Sequence, residues 1–426
     1  MLKEHIFLCI NAILYIITLI SFIRYKKTVR NMGVFLFALY TMSAIGSVWY
    51  YSYPKVPLYY PQITAAPLIY LYLCIVVCVA PFLQTNLNQI SGLDDSNIRK
   101  YLNGASIFFS IICIVPFFEL ILKMSSINLG GTFFSQMYDS GEDNAVFLFS
   151  SVGKKFFSPL RHLADFVVLL FFYQLSKVNV RKGVLLGMFL AVLTIVLFKL
   201  MSGSRGGIFG VFFLVVFYFS FFKNFMPEKR RKIISKCFLI GSISLFLGVG
   251  IISISRFNDS VSRKKEQSID LWISQYAGES YIRFANTIWF MDESAEGNQN
   301  FAIIKDALGM YNFKSYNQYL YQEGNRIKVA LNVFYTFVGD FYIDLGRYGT
   351  VIFILLLLLF ELKITKISKG RMNILQLYVL GILFSLLSYG FCANVYRGIY
   401  VQKNIVLPLI LVFILFVLQK HPLRKQ

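Results

Sequence analysis

The chain has little of what most soluble enzymes use for chemistry. Only three histidines occur in 426 residues, and two of them, His5 and His421, lie near the ends. There is no Gly-Lys-Thr phosphate loop, no His-Glu-x-x-His pair and no dinucleotide fingerprint, which argues against nucleotide-driven reactions. The six cysteines (Cys9, Cys74, Cys78, Cys113, Cys237, Cys392) all fall in apolar runs, so no disulfide framework is expected. Cys74 and Cys78 share a helix face, but without His or carboxylate neighbours they read as packing residues. Neither a metal nor another cofactor is expected. No internal repeat is visible, so the inverted-repeat signature of secondary transporters is missing.

What is present is apolar surface. The composition is 57% hydrophobic and 17% aromatic, with a mean hydropathy of +0.62. A soluble domain of this length would not tolerate those values. A membrane helix needs about 20 mostly apolar residues, and runs such as Val34–Tyr50, Ile63–Leu83, Val184–Leu200 and Val351–Leu362 approach that once their flanks are added. The expected fold is all-α, a polytopic membrane protein of about 11 transmembrane helices. Residues 1–254 hold spans one to eight, 255–337 form one large hydrophilic loop, and 338–426 hold spans nine to eleven. The first span carries no small-residue cleavage site and reads as a retained helix.

The formal charge of +21 does not point to nucleic acid, because Lys and Arg collect in short linkers. These are Arg24–Arg30, Lys177–Lys182, Lys223–Lys236, Lys363–Arg371 and Lys420–Lys425. Short basic loops stay cytoplasmic. Alternate linkers are poor in bases or balanced, which sets an outside N-terminus and a cytoplasmic C-terminus. The linker Gln84–Asn103, assigned to the inside, gives no charge bias. Within the large loop, Ser268–Met291 reads as an amphipathic helix, with Ile269, Trp272, Ile273, Tyr276, Ile282, Ile288 and Trp289 among polar residues. It is expected either to lie along the membrane surface or to pack over the mouths of the spans. A smaller outside loop, Lys123–Leu160, carries Asp139, Glu142 and Asp143.

Ionisable residues near the outer boundary are functional candidates by default. Arg205 follows Ser204 in the turn Ser202-Gly203-Ser204-Arg205-Gly206-Gly207, where glycines let the backbone approach a ligand and a helix N-terminus follows. A guanidinium there suits a pyrophosphate; the alternative is a hairpin turn with a snorkelling arginine. Asp340 and Asp344 stand one turn apart, with Arg347 beyond them. They hold sugar hydroxyls, act as a base, or neutralise one another. Glu279 and Arg283 are spaced for an ion pair, with catalysis as the second reading. Arg397 sits in a short outside turn, and Arg161, His162 and Asp165 lie together at the outer end of the fifth span. Arg161, Arg205, Arg283, Arg347 and Arg397 are thus all expected at the outer face, which suggests a site for an anionic headgroup.

The segment Ser202–Gly207, the long outside loop after it, and Val338-Gly339-Asp340-Phe341-Tyr342-Ile343-Asp344-Leu345-Gly346-Arg347-Tyr348-Gly349 resemble the bacterial Wzy-type O-antigen or capsule repeat-unit polymerases. The architectural likeness covers the whole chain; the motif likeness is confined to those two segments. The resemblance implies a membrane glycosyltransferase of the C superfamily (GT-C-like) in the bacterial cytoplasmic membrane. Its substrates would be undecaprenyl-pyrophosphate-linked glycans, with membrane lipids, a chain-length regulator and a flippase as partners. In that role Glu279 or Asp340 would be the base, and Arg205, Arg283, Arg397 and Ser204 would hold pyrophosphate. Arg161, His162, Asp344 and Arg347 would contact the rest of the substrate. O-antigen ligases share the layout but resemble a pattern with a histidine in the large loop, which is absent from 255–337. A lipid-linked oligosaccharide flippase would carry charges deep in several spans, and a non-catalytic envelope partner would use the loop for docking.

Overall fold

The computed structural model describes residues 2–26, 31–85, 87, 90, 92–126, 148–202, 205–261, 269–313, 316–366 and 370–420, with backbone only at 205, 244–249, 251–261, 269 and 316. The candidate residue Ser204, the acidic residues Asp139, Glu142 and Asp143, and the stretch 262–268 lie outside these. In order, the helices are α1 (Leu2–Lys26), α2 (Met32–Tyr51), α3 (Val56–Tyr59), α4 (Ala65–Gln84), α5 (Arg99–Ile112), α6 (Ile114–Ser126), α7 (Ser151–His162) and α8 (Ala164–Ser176). They continue with α9 (Lys182–Met201), α10 (Arg205–Phe222), α11 (Glu228–Val261), α12 (Ile269–Asn286), α13 (Ala302–Ala307), α14 (Tyr316–Arg326), α15 (Thr336–Ile364), α16 (Ile374–Tyr389) and α17 (Ile399–Lys420). Two dipeptide strands, β1 (Gly92–Leu93) and β2 (Arg371–Met372), pair in parallel. The fold is nearly all-α, as expected.

Among the described residues seven helices are long and apolar enough to cross a membrane: Lys3–Lys26, Met32–Tyr51, Ala65–Gln84, Arg99–Ser126, Lys182–Met201, Thr336–Ile364 and Ile399–Lys420. An eighth counts if α7 and α8, bent by 76° at Leu163, form one broken span. The shorter apolar helices Gly206–Phe222 and Ile374–Tyr389 come in addition. This is a multi-pass membrane protein.

The chain does not divide in sequence order into spans, loop and spans. Unit 1 gathers 1–86, 268–367 and 385–403, and unit 2 gathers 87–267, 368–384 and 404–426. In unit 2, Ser150 caps α7 by accepting from Gly153 N at 3.1 Å, and Glu119 on α6 accepts from the Ser150 hydroxyl at 2.6 Å. A side chain at position 153 would collide with that carboxylate, so the glycine is what lets cap and acid meet. Arg230 on α11 donates to the Leu175 carbonyl at 2.9 Å, closing the end of α8.

Unit 1 is built on α2. Asn31 caps it through Gly33 N at 2.8 Å and donates to the Leu83 carbonyl at 3.1 Å, fixing the start of α2 to the end of α4. Its core is aromatic: Tyr15 stacks on Phe37 with centroids 5.4 Å apart and meets Tyr281 edge-on at 5.7 Å. Two of the polar tips are tied off to backbone. Tyr281 donates to the Tyr40 carbonyl, and the Tyr40 hydroxyl donates to the Leu387 carbonyl at 2.7 Å.

Of the two placements expected for the loop helix, the structure takes the packed one. Helix α12 lies against α2, α4 and α15. Its buried face, however, is not the apolar one read from the sequence. Ile282 and Ile288 are buried, but Ile273 is 48% exposed, while Ser274, Glu279 and Ser280 face inward. The reason is a glycine crossing. A Cβ on Gly46 would stand 2.7 Å from Ala277 Cβ, and one on Gly278 would strike the Gly46 backbone. Two small residues therefore bring α2 and α12 into backbone contact, close enough for Ser43 to donate to the Ala277 carbonyl at 2.7 Å. We expect Gly278→Ala to cost about 1–3 kcal/mol through overpacking, read as a lower thermal midpoint in detergent. Ala at the open position Gly104, where a Cβ meets nothing, should leave that midpoint unchanged.

Candidate functional site

Unit 1 contains two separate acid clusters. The first starts from Asp340 and Asp344 on α15, which are 0% and 1% exposed. Asp340 Oδ1 accepts from Gln299 Nε2 at 2.7 Å and from Arg397 Nη1 at 3.3 Å, and Oδ2 accepts from Asn394 N at 2.5 Å. Asp344 Oδ1 accepts from Gln299 N at 3.1 Å, and Oδ2 accepts from Asn300 N at 2.5 Å and Asn300 Nδ2 at 2.8 Å. Asn394 Nδ2 donates to Asn300 Oδ1 at 2.7 Å, and Gly398 N and Gln402 Nε2 both donate to the Gln299 carbonyl at 2.9 Å. One helix thus holds two loops, 298–300 and 394–398, through their own amides. Each of the four carboxylate oxygens already accepts a hydrogen bond. Arg397 neutralises Asp340 and also donates to the Val333 carbonyl at 3.0 Å. This arrangement orders backbone; it leaves Asp340 poorly placed to take a proton from a substrate.

The second cluster is built around Glu279 on α12. Its Oε1 accepts from Arg283 Nη2 at 2.8 Å, Gln275 Nε2 at 2.8 Å and the Tyr60 hydroxyl at 3.0 Å. Its other oxygen, Oε2, has no hydrogen-bond partner among the described residues, and neither has the buried Nε of Arg283. The helical spacing brings acid and base together, and α3 and the Tyr60 turn close over them. Burial works against the Arg283 cation, but the adjacent Glu279 outweighs it and holds the guanidinium more firmly charged than usual. Burial pushes the Tyr60 phenol up, reinforced by Glu279. Tyr335 is pushed up to about 12 by burial, against the opposing pull of Arg283, and it lies in the fields of Asp340 and Arg397 as well. Tyr335 is therefore the side chain common to the surroundings of both clusters.

Within unit 1, Arg283, Arg347 and Arg397 have different partners. Arg283, Arg347 and Arg397 belong to unit 1, Arg161 and Arg205 to unit 2. Arg347 leaves Asp340 and Asp344 behind and lies over the Trp289 ring at 3.9 Å. The reason is Gly346, whose φ of 67° and ψ of −174° break α15 just before it. Arg161 and His162 end α7 at the bend of the broken span, and His162 Nδ1 pairs with Asn404 Oδ1 at 2.7 Å in unit 2. The backbone of Arg205 opens α10 as expected, and its side chain lies outside the described atoms.

Sequence reasoning missed Gln299, Asn300 and Asn394, which carry the first cluster, and Tyr60, Gln275 and Tyr335 around the second. The run Gly297-Asn298-Gln299-Asn300 was the available signal: adjacent carboxamides in a loop commonly satisfy backbone elsewhere. Among the described residues no group of three His, Cys, Asp or Glu side chains is placed to hold a metal ion.

Asp344→Ala would leave the amides of Gln299 and Asn300 buried without acceptors, at a cost of about 3 kcal/mol or more. Protease cleavage within 298–300 should then appear in the variant and be absent from the unaltered protein. No family model matches this chain, and no curated protein or solved structure does.

Proposed function

We propose that this chain is a membrane glycosyltransferase that joins undecaprenyl-pyrophosphate-linked oligosaccharide units outside the cytoplasmic membrane. The observation that carries the reading is the Glu279–Arg283 pair: a buried acid with one oxygen that accepts no hydrogen bond among the described residues, beside a guanidinium whose Nε likewise has no partner among them. In the reaction, an acceptor hydroxyl attacks the anomeric carbon of the donor glycan. The new C–O bond forms as the bond to the pyrophosphate oxygen breaks, and undecaprenyl pyrophosphate leaves with the electron pair. Glu279 Oε2 receives the hydroxyl proton, as a general base requires. Arg283 stabilises charge developing on the leaving pyrophosphate, the kind of preorganised electrostatic contribution that dominates many enzymes. Of the two candidate bases, the free oxygen favours Glu279 over Asp340. Arg205 and Ser204 keep their phosphate reading on sequence grounds alone.

The topology of this reading counts eleven spans. The eight of the fold, α10, α16 and the 34-residue α11 together supply that number. The two basic linkers Lys177–Lys182 and Lys223–Lys236, between α8 and α9 and between α10 and α11, then face the cytoplasm, and the N-terminus lies outside.

In cells that depend on the chain for surface polysaccharide, Glu279→Gln and Arg283→Ala should each preserve expression and yield single repeat units instead of long chains on a gel. Long chains in both variants would remove the pair from the mechanism. A reporter inserted at Gly309, in an exposed turn of residues 308–310, should be active only outside the cytoplasm; the packed stretch 295–299 would not accept it. Cytoplasmic activity there overturns the orientation.

A further inference from the structure

Helix α15 is kinked at Gly346, and just past the kink Arg347 and Tyr348 border a cavity of about 390 Å³. The opposite wall is Trp289 and the segment Asp292-Glu293-Ser294. The volume is within the range of about 300–1,000 Å³ seen for small-molecule sites. Its floor is held rigidly. Tyr70, Phe284, Trp289 and Tyr342 form one aromatic cluster, with Tyr70 edge-on to Trp289 at 5.4 Å and to Tyr342 at 5.9 Å. The Tyr70 hydroxyl donates to the Arg347 carbonyl at 2.7 Å, and Arg347 Nε reaches the Tyr342 oxygen at 3.4 Å. The guanidinium is therefore positioned at both its backbone and its head. At the rim, Tyr348 is 80% exposed and shows an open ring.

The chemistry of the lining selects among ligand classes. Arg326 pairs with Glu293 at 2.9 Å, which leaves Asp292 facing Arg347, so the lining is close to neutral and offers no net positive charge to a phosphate. An aliphatic ligand would strip water from Asp292 and Glu293 without replacing their hydrogen bonds. A simple cation would meet Arg347. A neutral sugar satisfies all three constraints: its hydroxyls donate to carboxylates and accept from a guanidinium, and its C–H faces pack on aromatic rings. We propose that this cavity is a saccharide-binding subsite, in which Asp292 and Arg347 hold ring hydroxyls and Tyr348 stacks on the sugar. It deepens the glycan reading above and rests on it for the source of the sugar. Phe284, next in sequence to Arg283, packs edge-on against Tyr342, which lines the cavity, so the subsite borders on the helix that carries the proposed reactive pair.

Three tryptophans are present, and replacing Trp49 and Trp272 by Phe leaves Trp289 as the sole fluorophore. That full-length protein, in lipid nanodiscs, is titrated with oligosaccharides released by mild acid from the surface polysaccharide of the encoding cells. We expect a saturable change in Trp289 emission. Asp292→Asn and Tyr348→Ala, each with unchanged circular dichroism, should raise the midpoint at least about tenfold. Tyr321→Ala, beside a separate cavity lined by Asn317, Asn325 and Asn332, should not shift it. No saturable change at millimolar oligosaccharide, or equal midpoints in all variants, overturns the subsite. Saccharide binding here together with full-length polymer in both Glu279→Gln and Arg283→Ala cells removes the reactive pair and leaves the subsite standing. Polymer loss in those cells without saccharide binding sinks the subsite alone.

Discussion

Asp340 and Asp344 hold unit 1 together by accepting from loop amides on a mostly apolar helix. A carboxylate in such a place is stabilised by each lone pair that finds a donor. The Gln299 and Asn300 amides meet Asp344, the Asn394 amide meets Asp340, and Arg397 supplies the opposing charge. The positions of the 295–303 segment and of the turn before α17 follow from those bonds. Past the Gly346 break the chain is held by other partners: Tyr70 donates to the Arg347 carbonyl, and the Arg347 guanidinium lies over the Trp289 ring.

The two acid clusters differ in one respect that separates scaffold from chemistry. Around Asp340 and Asp344 each carboxylate oxygen accepts a hydrogen bond; at Glu279 three donors crowd one oxygen and leave the other open. Spacing alone does not distinguish them. Asp340 and Asp344 are separated by four residues, and so are Glu279 and Arg283. Only the partners that arrive from distant parts of the chain, such as Tyr60 and Gln299, reveal which acid is occupied.

Much of the fold was readable. The helical class, the membrane character, the start of α15 near Phe337 and a helix over most of 268–291 follow from hydropathy and periodicity, which depend on local sequence. The buried face of α12 was not readable, because periodicity assigns Ile273 to the core while the Gly46–Gly278 crossing turns Ser274 and Ser280 inward. Arg283, Arg347 and Arg397 each found a different partner in unit 1: a carboxylate, an indole ring, and a carboxylate with a carbonyl.

The sequence by itself determined that this chain crosses a membrane several times, since about 20 consecutive apolar residues have no other stable surroundings. It also determined which residues carry charge near the ends of those spans. The tertiary structure alone decided which of those charges are spent on holding loops and which keep an open atom. That distinction is made by amides and hydroxyls separated along the chain by tens to hundreds of residues, and a hydrogen bond between such groups leaves no period or spacing in the sequence to read.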